Sequence, residues 1–154
     1  MFRHHPVLTV VTFVYLGVVG WITLGPQPLD DRADSLVWRL LAFFSRYAST
    51  DWITYSLLEF WSNVAMFVPV GLFFLLLLGR RRWWLAIGLG VMLTLGIEFV
   101  QQYLPDRVSD PRDVLANSVG AFVGVVAALL VTWPAAVRRA RDARRADRVP
   151  AYTT

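Results

Sequence analysis

The chain has 154 residues and a formal net charge of +4, with 56% hydrophobic residues, 17% charged residues and a mean hydropathy of +0.51. Soluble domains run at roughly 45–50% apolar and 25% charged, so this composition excludes a disordered chain and argues against a water-soluble fold of this size. Cysteine is absent and all 15 basic residues are arginine, which removes disulfides, thiolate sites, cysteine nucleophiles, a lysine Schiff base and a P-loop lysine.

Four apolar runs follow one another along the chain. Residues 7–24 carry no charge, 64–78 extend backwards through Leu57, Leu58, Phe60 and Trp61, 83–100 hold a single acid, Glu98, and 114–133 hold none. A hydrocarbon core about 30 Å thick needs ~20 apolar helical residues. The runs lack the period-two alternation of barrel strands. The sequence therefore predicts an all-α, polytopic membrane protein. It is expected as one domain, a four-transmembrane-helix bundle with spans at about 7–25, 57–78, 83–102 and 112–133. The first run is read as a retained helix, because Gly25-Pro26-Gln27-Pro28 offers no small-x-small cleavage site.

Between the first two spans, Leu36, Val37, Leu40, Leu41, Phe43, Phe44 and Tyr47 recur at helical spacing, with Arg39 and Arg46 on another face. This predicts a short extracytoplasmic interfacial helix. Ser49 or Thr50 is a candidate cap for a helix running unbroken into the second span.

Arginine placement sets the topology. Arg3, the Arg80-Arg81-Arg82 cluster and six arginines in the tail, 134–154, put ten on one side; Arg32, Arg39, Arg46, Arg107 and Arg112 lie on the other. The positive-inside rule then places both termini and the basic tail in the cytoplasm of a cell membrane. The positive charge is thereby absorbed as a topology signal facing anionic headgroups, and no nucleic-acid partner is expected. Trp21, Trp61, Trp83, Trp84 and Trp133 fall near span ends, as interfacial tryptophans do.

Polar residues inside spans are costly and concentrate at the outer ends of the second, third and fourth. Glu59 and Asn63 share a face of the second, with Pro69 further along in Phe67-Val68-Pro69-Val70-Gly71. Thr94, Glu98, Gln101 and Gln102 form one stripe on the third. Arg107-Val108-Ser109-Asp110-Pro111-Arg112-Asp113 opens the fourth, where Asp110 is placed as N-cap, Pro111 as the first helical residue and Asp113 at the capping-box position. Asp113, Asn117, Gly120 and Gly124 then occupy one sector of that helix, and Gly120-x-x-x-Gly124 permits close helix approach.

These motifs resemble the VanZ-like family of small bacterial membrane proteins. The matching residues are Glu59 with Asn63-x-x-x-Phe67-x-Pro69-x-Gly71, and Glu98-x-x-Gln101. They continue as Arg107-x-x-Asp110-x-x-Asp113-x-x-x-Asn117-x-x-Gly120-x-x-x-Gly124, and the resemblance spans about residues 57–130. The family's name-giving member is associated with low-level resistance to the glycopeptide teicoplanin, and the resemblance implies no particular reaction. An arginine-only, alanine- and valine-rich composition points to a high-GC bacterial source.

The expectation for function is an outward-facing polar site that binds or acts on a lipid-linked or cell-envelope molecule. Arg107 and Arg112 are candidates for holding a phosphate or carboxylate bidentately. Glu98, Asp110 and Asp113 are the candidate acid–base residues, or carriers of a divalent cation bridging to phosphate. Glu59, Asn63, Gln101 and Asn117 complete the ligand-binding set. The alternative is a non-enzymatic accessory protein of envelope assembly in which the cluster is structural. An ion path is disfavoured, since the inner halves of the spans are nearly free of ionisable residues. No Gly-x-Ser-x-Gly elbow, zinc motif or nucleotide-phosphate loop occurs, His4 and His5 lie at the opposite side, and no cofactor or metal ligand set is assigned.

Overall fold

The computed structural model describes residues 6–25, 54–105 and 110–146. Four helices account for almost all of them: α1, Pro6–Leu24; α2, Tyr55–Leu78; α3, Trp83–Gln101; and α4, Pro111–Ala146. Each contains a stretch long and apolar enough to cross a membrane. Among the described residues there is no strand. The expected interfacial helix at 36–47 lies outside the described residues, as does Arg107.

Thr54 starts α2, which corrects the expectation of a helix entering unbroken from residue 49 or 50. Its backbone is extended, at φ −97° and ψ 162°, and its side chain accepts the Leu57 N–H at 3.3 Å. The amides of Leu57 and Leu58 both donate to the Thr54 carbonyl. A hydroxyl that satisfies an orphan amide of the first turn fixes the boundary here.

At the other end, Gly79 takes φ 82° and donates its N–H to the Leu75 carbonyl at 2.8 Å. A side chain at that φ would clash with the backbone, so glycine makes the reversal possible. A single 3-10 turn, Arg80–Arg82, then leads directly into α3.

α4 is longer than the span it contains. The apolar span runs Pro111–Pro134, close to the expected 112–133, and the helix continues beyond it to Ala146, 36 residues in all. At 1.5 Å per residue that is about 54 Å, well beyond a ~30 Å hydrocarbon core. Apolar periodicity marks only the lipid-facing part, because the helix persists after the hydropathy has fallen.

α2 and α4 form the closest pair. A methyl group added at Gly71 would overlap the Ala121 carbonyl, one at Gly120 the Val64 carbonyl, and one at Gly124 the Val68 carbonyl. Backbone-to-backbone approach of this kind is how helices associate in lipid, where no hydrophobic force drives them together. Phe67, Val70, Leu75, Ala121 and Val125 are buried along this seam. α3 adds Ala86 and Ile97.

α1 is more loosely attached. Its Tyr15 hydroxyl donates to the Met66 carbonyl at 2.8 Å, and the ring meets Phe73 edge-on at 5.6 Å. Trp21, Trp61, Trp83, Trp84 and Trp133 are all exposed, consistent with contact to the membrane interface.

Candidate functional site

The chain connectivity brings the start of α2, the end of α3, the start of α4 and the end of α1 to one end of the bundle, opposite the Arg80–Arg82 turn. The polar residues singled out in the sequence gather there, but in two distinct places.

The first is a cleft of about 410 Å³ between the starts of α2 and α4, lined by Thr54, Ser56, Leu57, Glu59, Phe60, Asp110, Arg112, Asp113 and Leu115. Asp110 Oδ1 accepts the Arg112 N–H at 2.9 Å, and the Asp110 carbonyl accepts that of Asp113 at the same distance. This is the expected N-cap with proline at the first helical position. The capping box does not form as expected, because Asp113 Oδ1 instead accepts the Asn63 amide of α2 at 2.8 Å. Its carboxyl is committed across the interface. Arg112 Nη1 donates to Ser56 Oγ at 3.2 Å, a second polar tie between the same helices. Glu59 lies exposed in the cleft, whose lining it shares with Asp113 and Asp110.

The second place is a buried seam one turn deeper. Asn117 is 3% exposed and donates its amide to Thr94 Oγ1 of α3 at 2.9 Å. Gln101, 8% exposed, donates to the Thr23 carbonyl of α1 at 3.0 Å. Glu98, 5% exposed, lies between Thr94 and Gln101 on the same face of α3. Among the described residues, the side-chain oxygens of Gln101 and Asn117 accept no hydrogen bond. Buried amide oxygens without a donor are costly, so the seam retains acceptor capacity.

The sequence-derived set thus separates. Glu59, Asp110, Arg112 and Asp113 line the cleft, and Asn63 orients Asp113. Glu98, Gln101 and Asn117 belong to the seam. Gln102 leaves the stripe altogether and is exposed. Among the described residues no three His, Cys, Asp or Glu side chains converge as a metal cluster.

Two contributors escaped the sequence reading. Ser56 sits three residues before Glu59, on the same helical face, and that spacing was the available signal. Arg80 was read only as a topology charge. Its guanidinium donates to the Leu129 carbonyl and to Thr132 Oγ1, and stacks 5.6 Å from the Trp133 ring. It pins the α2–α3 turn to α4, a role that nothing in local sequence announces.

Four apolar helices, packed through glycine and carrying a polar cleft at one end, define a small multi-pass membrane protein. A family model described as VanZ/LLP1 matches residues 12–132, and the chain belongs to this VanZ-like family. The match reaches back over most of α1, beyond the motif-bearing part of the chain. No curated protein and no solved structure matches the chain significantly.

Proposed function

We propose that the protein lies in a bacterial plasma membrane with both termini cytoplasmic, and that its cleft faces outward to bind or act on a lipid-linked or cell-envelope molecule bearing phosphate. The observation that carries this reading is the lining of the cleft. Glu59, Asp110, Arg112 and Asp113 share a 410 Å³ space with Leu57, Phe60 and Leu115 at the starts of two spanning helices. A soluble metabolite has no use for the apolar wall, and a bare lipid chain none for the charges. A molecule with a charged head and an apolar tail matches both. Leu115 is 58% exposed on the bundle surface, which suits lateral entry from lipid.

Within this reading Asp113 and Glu59 are the carboxyls that meet the ligand, and Arg112 takes its anionic group. The alternative, a binding or accessory protein without chemistry, draws support from the inter-helix bonds Asn63–Asp113, Asn117–Thr94 and Gln101–Thr23, which join all four helices.

The test is complementation of a deletion strain, scored by sensitivity to envelope antibiotics including teicoplanin. Glu59→Gln is expected to fold with unchanged melting temperature and Arg112→Gln, which loses its bond to Ser56, with a small drop; both are expected to lose complementation. Full complementation by both removes the cleft from function and favours the structural alternative.

A further inference from the structure

Among the described residues, the charges in the cleft are unequal in number and do not pair with one another. Among the described residues, three carboxyls, those of Glu59, Asp110 and Asp113, share the lining with one guanidinium, Arg112. Asp110 and Asp113 share the cleft lining with Glu59, so like charges face the same space. Among the described residues no ion pair joins Arg112 to any of them; its guanidinium is turned to Ser56. The cleft therefore offers a cationic group at Arg112, beside Ser56, and carboxyls at Glu59 and Asp113 that form no ion pair with it among the described residues.

A ligand carrying only phosphate would satisfy Arg112 and be repelled by the acids. One carrying only an amine would leave the guanidinium without an anion. In a site bordered by lipid such mismatches are magnified, because low dielectric strengthens attraction and repulsion alike. Resting on the reading of the cleft as an amphiphile site, we propose that its headgroup is zwitterionic, with a primary ammonium against Glu59 and Asp113 and a phosphate on Arg112 and Ser56.

The ammonium is primary because carboxylates reward a group with N–H donors, of which it has three. A quaternary ammonium is instead recognised by an aromatic cage. Among the described residues, Phe60 is the one aromatic side chain lining this cleft. The same chemistry is offered by an aminoethyl phospholipid and by an amino sugar on a prenyl phosphate.

The experiment is native mass spectrometry of the full chain released from detergent. The probes are dioctanoyl phosphatidylethanolamine, phosphatidylglycerol and phosphatidylcholine, and a short prenyl phosphate bearing an amino sugar. At least one amine-bearing probe is expected to bind about tenfold tighter than the glycerol and choline lipids, the scale of one charge-assisted hydrogen bond. The tighter of the two identifies the source of the headgroup. Glu59→Gln is expected to erase the preference, with phosphatidylglycerol binding tighter once a repelling charge is gone, and Arg112→Gln to weaken every probe. Equal binding of amine and glycerol probes, still weakened by Arg112→Gln, overturns the zwitterion and leaves the amphiphile site standing. Binding that ignores both substitutions overturns the two together. A melting temperature measured beside each variant separates lost binding from lost fold.

Discussion

Asn63 and Asp113 show how much one hydrogen bond decides at the mouth of the site. The Asn63 amide donates to Asp113 Oδ1 at 2.8 Å from a different helix. It fixes the carboxyl that would otherwise swing back to cap its own helix. Asn63→Ala removes the donor, and a loss of about 1–3 kcal/mol is expected from leaving a part-buried acceptor unpaired. Asn63→Asp is nearly isosteric yet sets one carboxyl against another, so it should be worse than alanine. Thermal unfolding of the two variants in detergent gives the ranking. An aspartate variant at least as stable as the alanine one refutes an ionised Asp113 held by this bond.

At the level of elements, the glycines divide by what surrounds them. Gly124 meets the Val68 carbonyl and Gly120 the Val64 carbonyl, so added atoms strike backbone that has nowhere to go. Gly17 and Gly96 have nothing within 4 Å of an added methyl group. Gly124→Val should part α2 from α4, with a loss of at least the ~1–3 kcal/mol usual for overpacking. Because the cleft spans the same two helices, ligand binding should fall with it. Gly17→Ala should be neutral or stabilising by up to ~1 kcal/mol, since alanine restricts the unfolded chain and favours helix. A melting temperature lowered equally by both substitutions contradicts the division.

For the whole molecule, the distribution of arginine is the observation with the longest reach. Ten arginines assigned by sequence to one side and five to the other predict the orientation of the bundle under the positive-inside rule. Reporter fusions at residue 40, residue 81 and the C-terminus should read out, in and in. The opposite pattern turns the cleft to the cytoplasm and withdraws an envelope ligand. Arg80 belongs to this scale too. It counts as a topology charge while also binding Leu129, Thr132 and Trp133. Arg80→Ala should therefore lower the melting temperature where Arg81→Ala, at an exposed position, does not. Equal effects of the two would reduce Arg80 to its charge alone.

Hydropathy and helical phase by themselves determined the four spans, the N-cap at Asp110 and the polar faces of α2, α3 and α4. Each of these depends on residues within a turn or two of one another, and a membrane core sets span length without reference to any partner. The sequence also placed Glu59 and Glu98 in one outer cluster, since depth is read from position in a span. Only the tertiary structure separated them. The end of α1 supplies the Thr23 carbonyl to Gln101, and Glu98 is buried on the same face of α3. Glu59 stands in the open cleft between α2 and α4. Likewise Asp113, at a capping-box spacing, was turned to Asn63, and Arg80 to α4. Such choices depend on which helix lies alongside, and that is set by where glycine lets two backbones touch. Periodicity assigns a residue to a face, but the neighbour opposite that face is a property of the packed bundle.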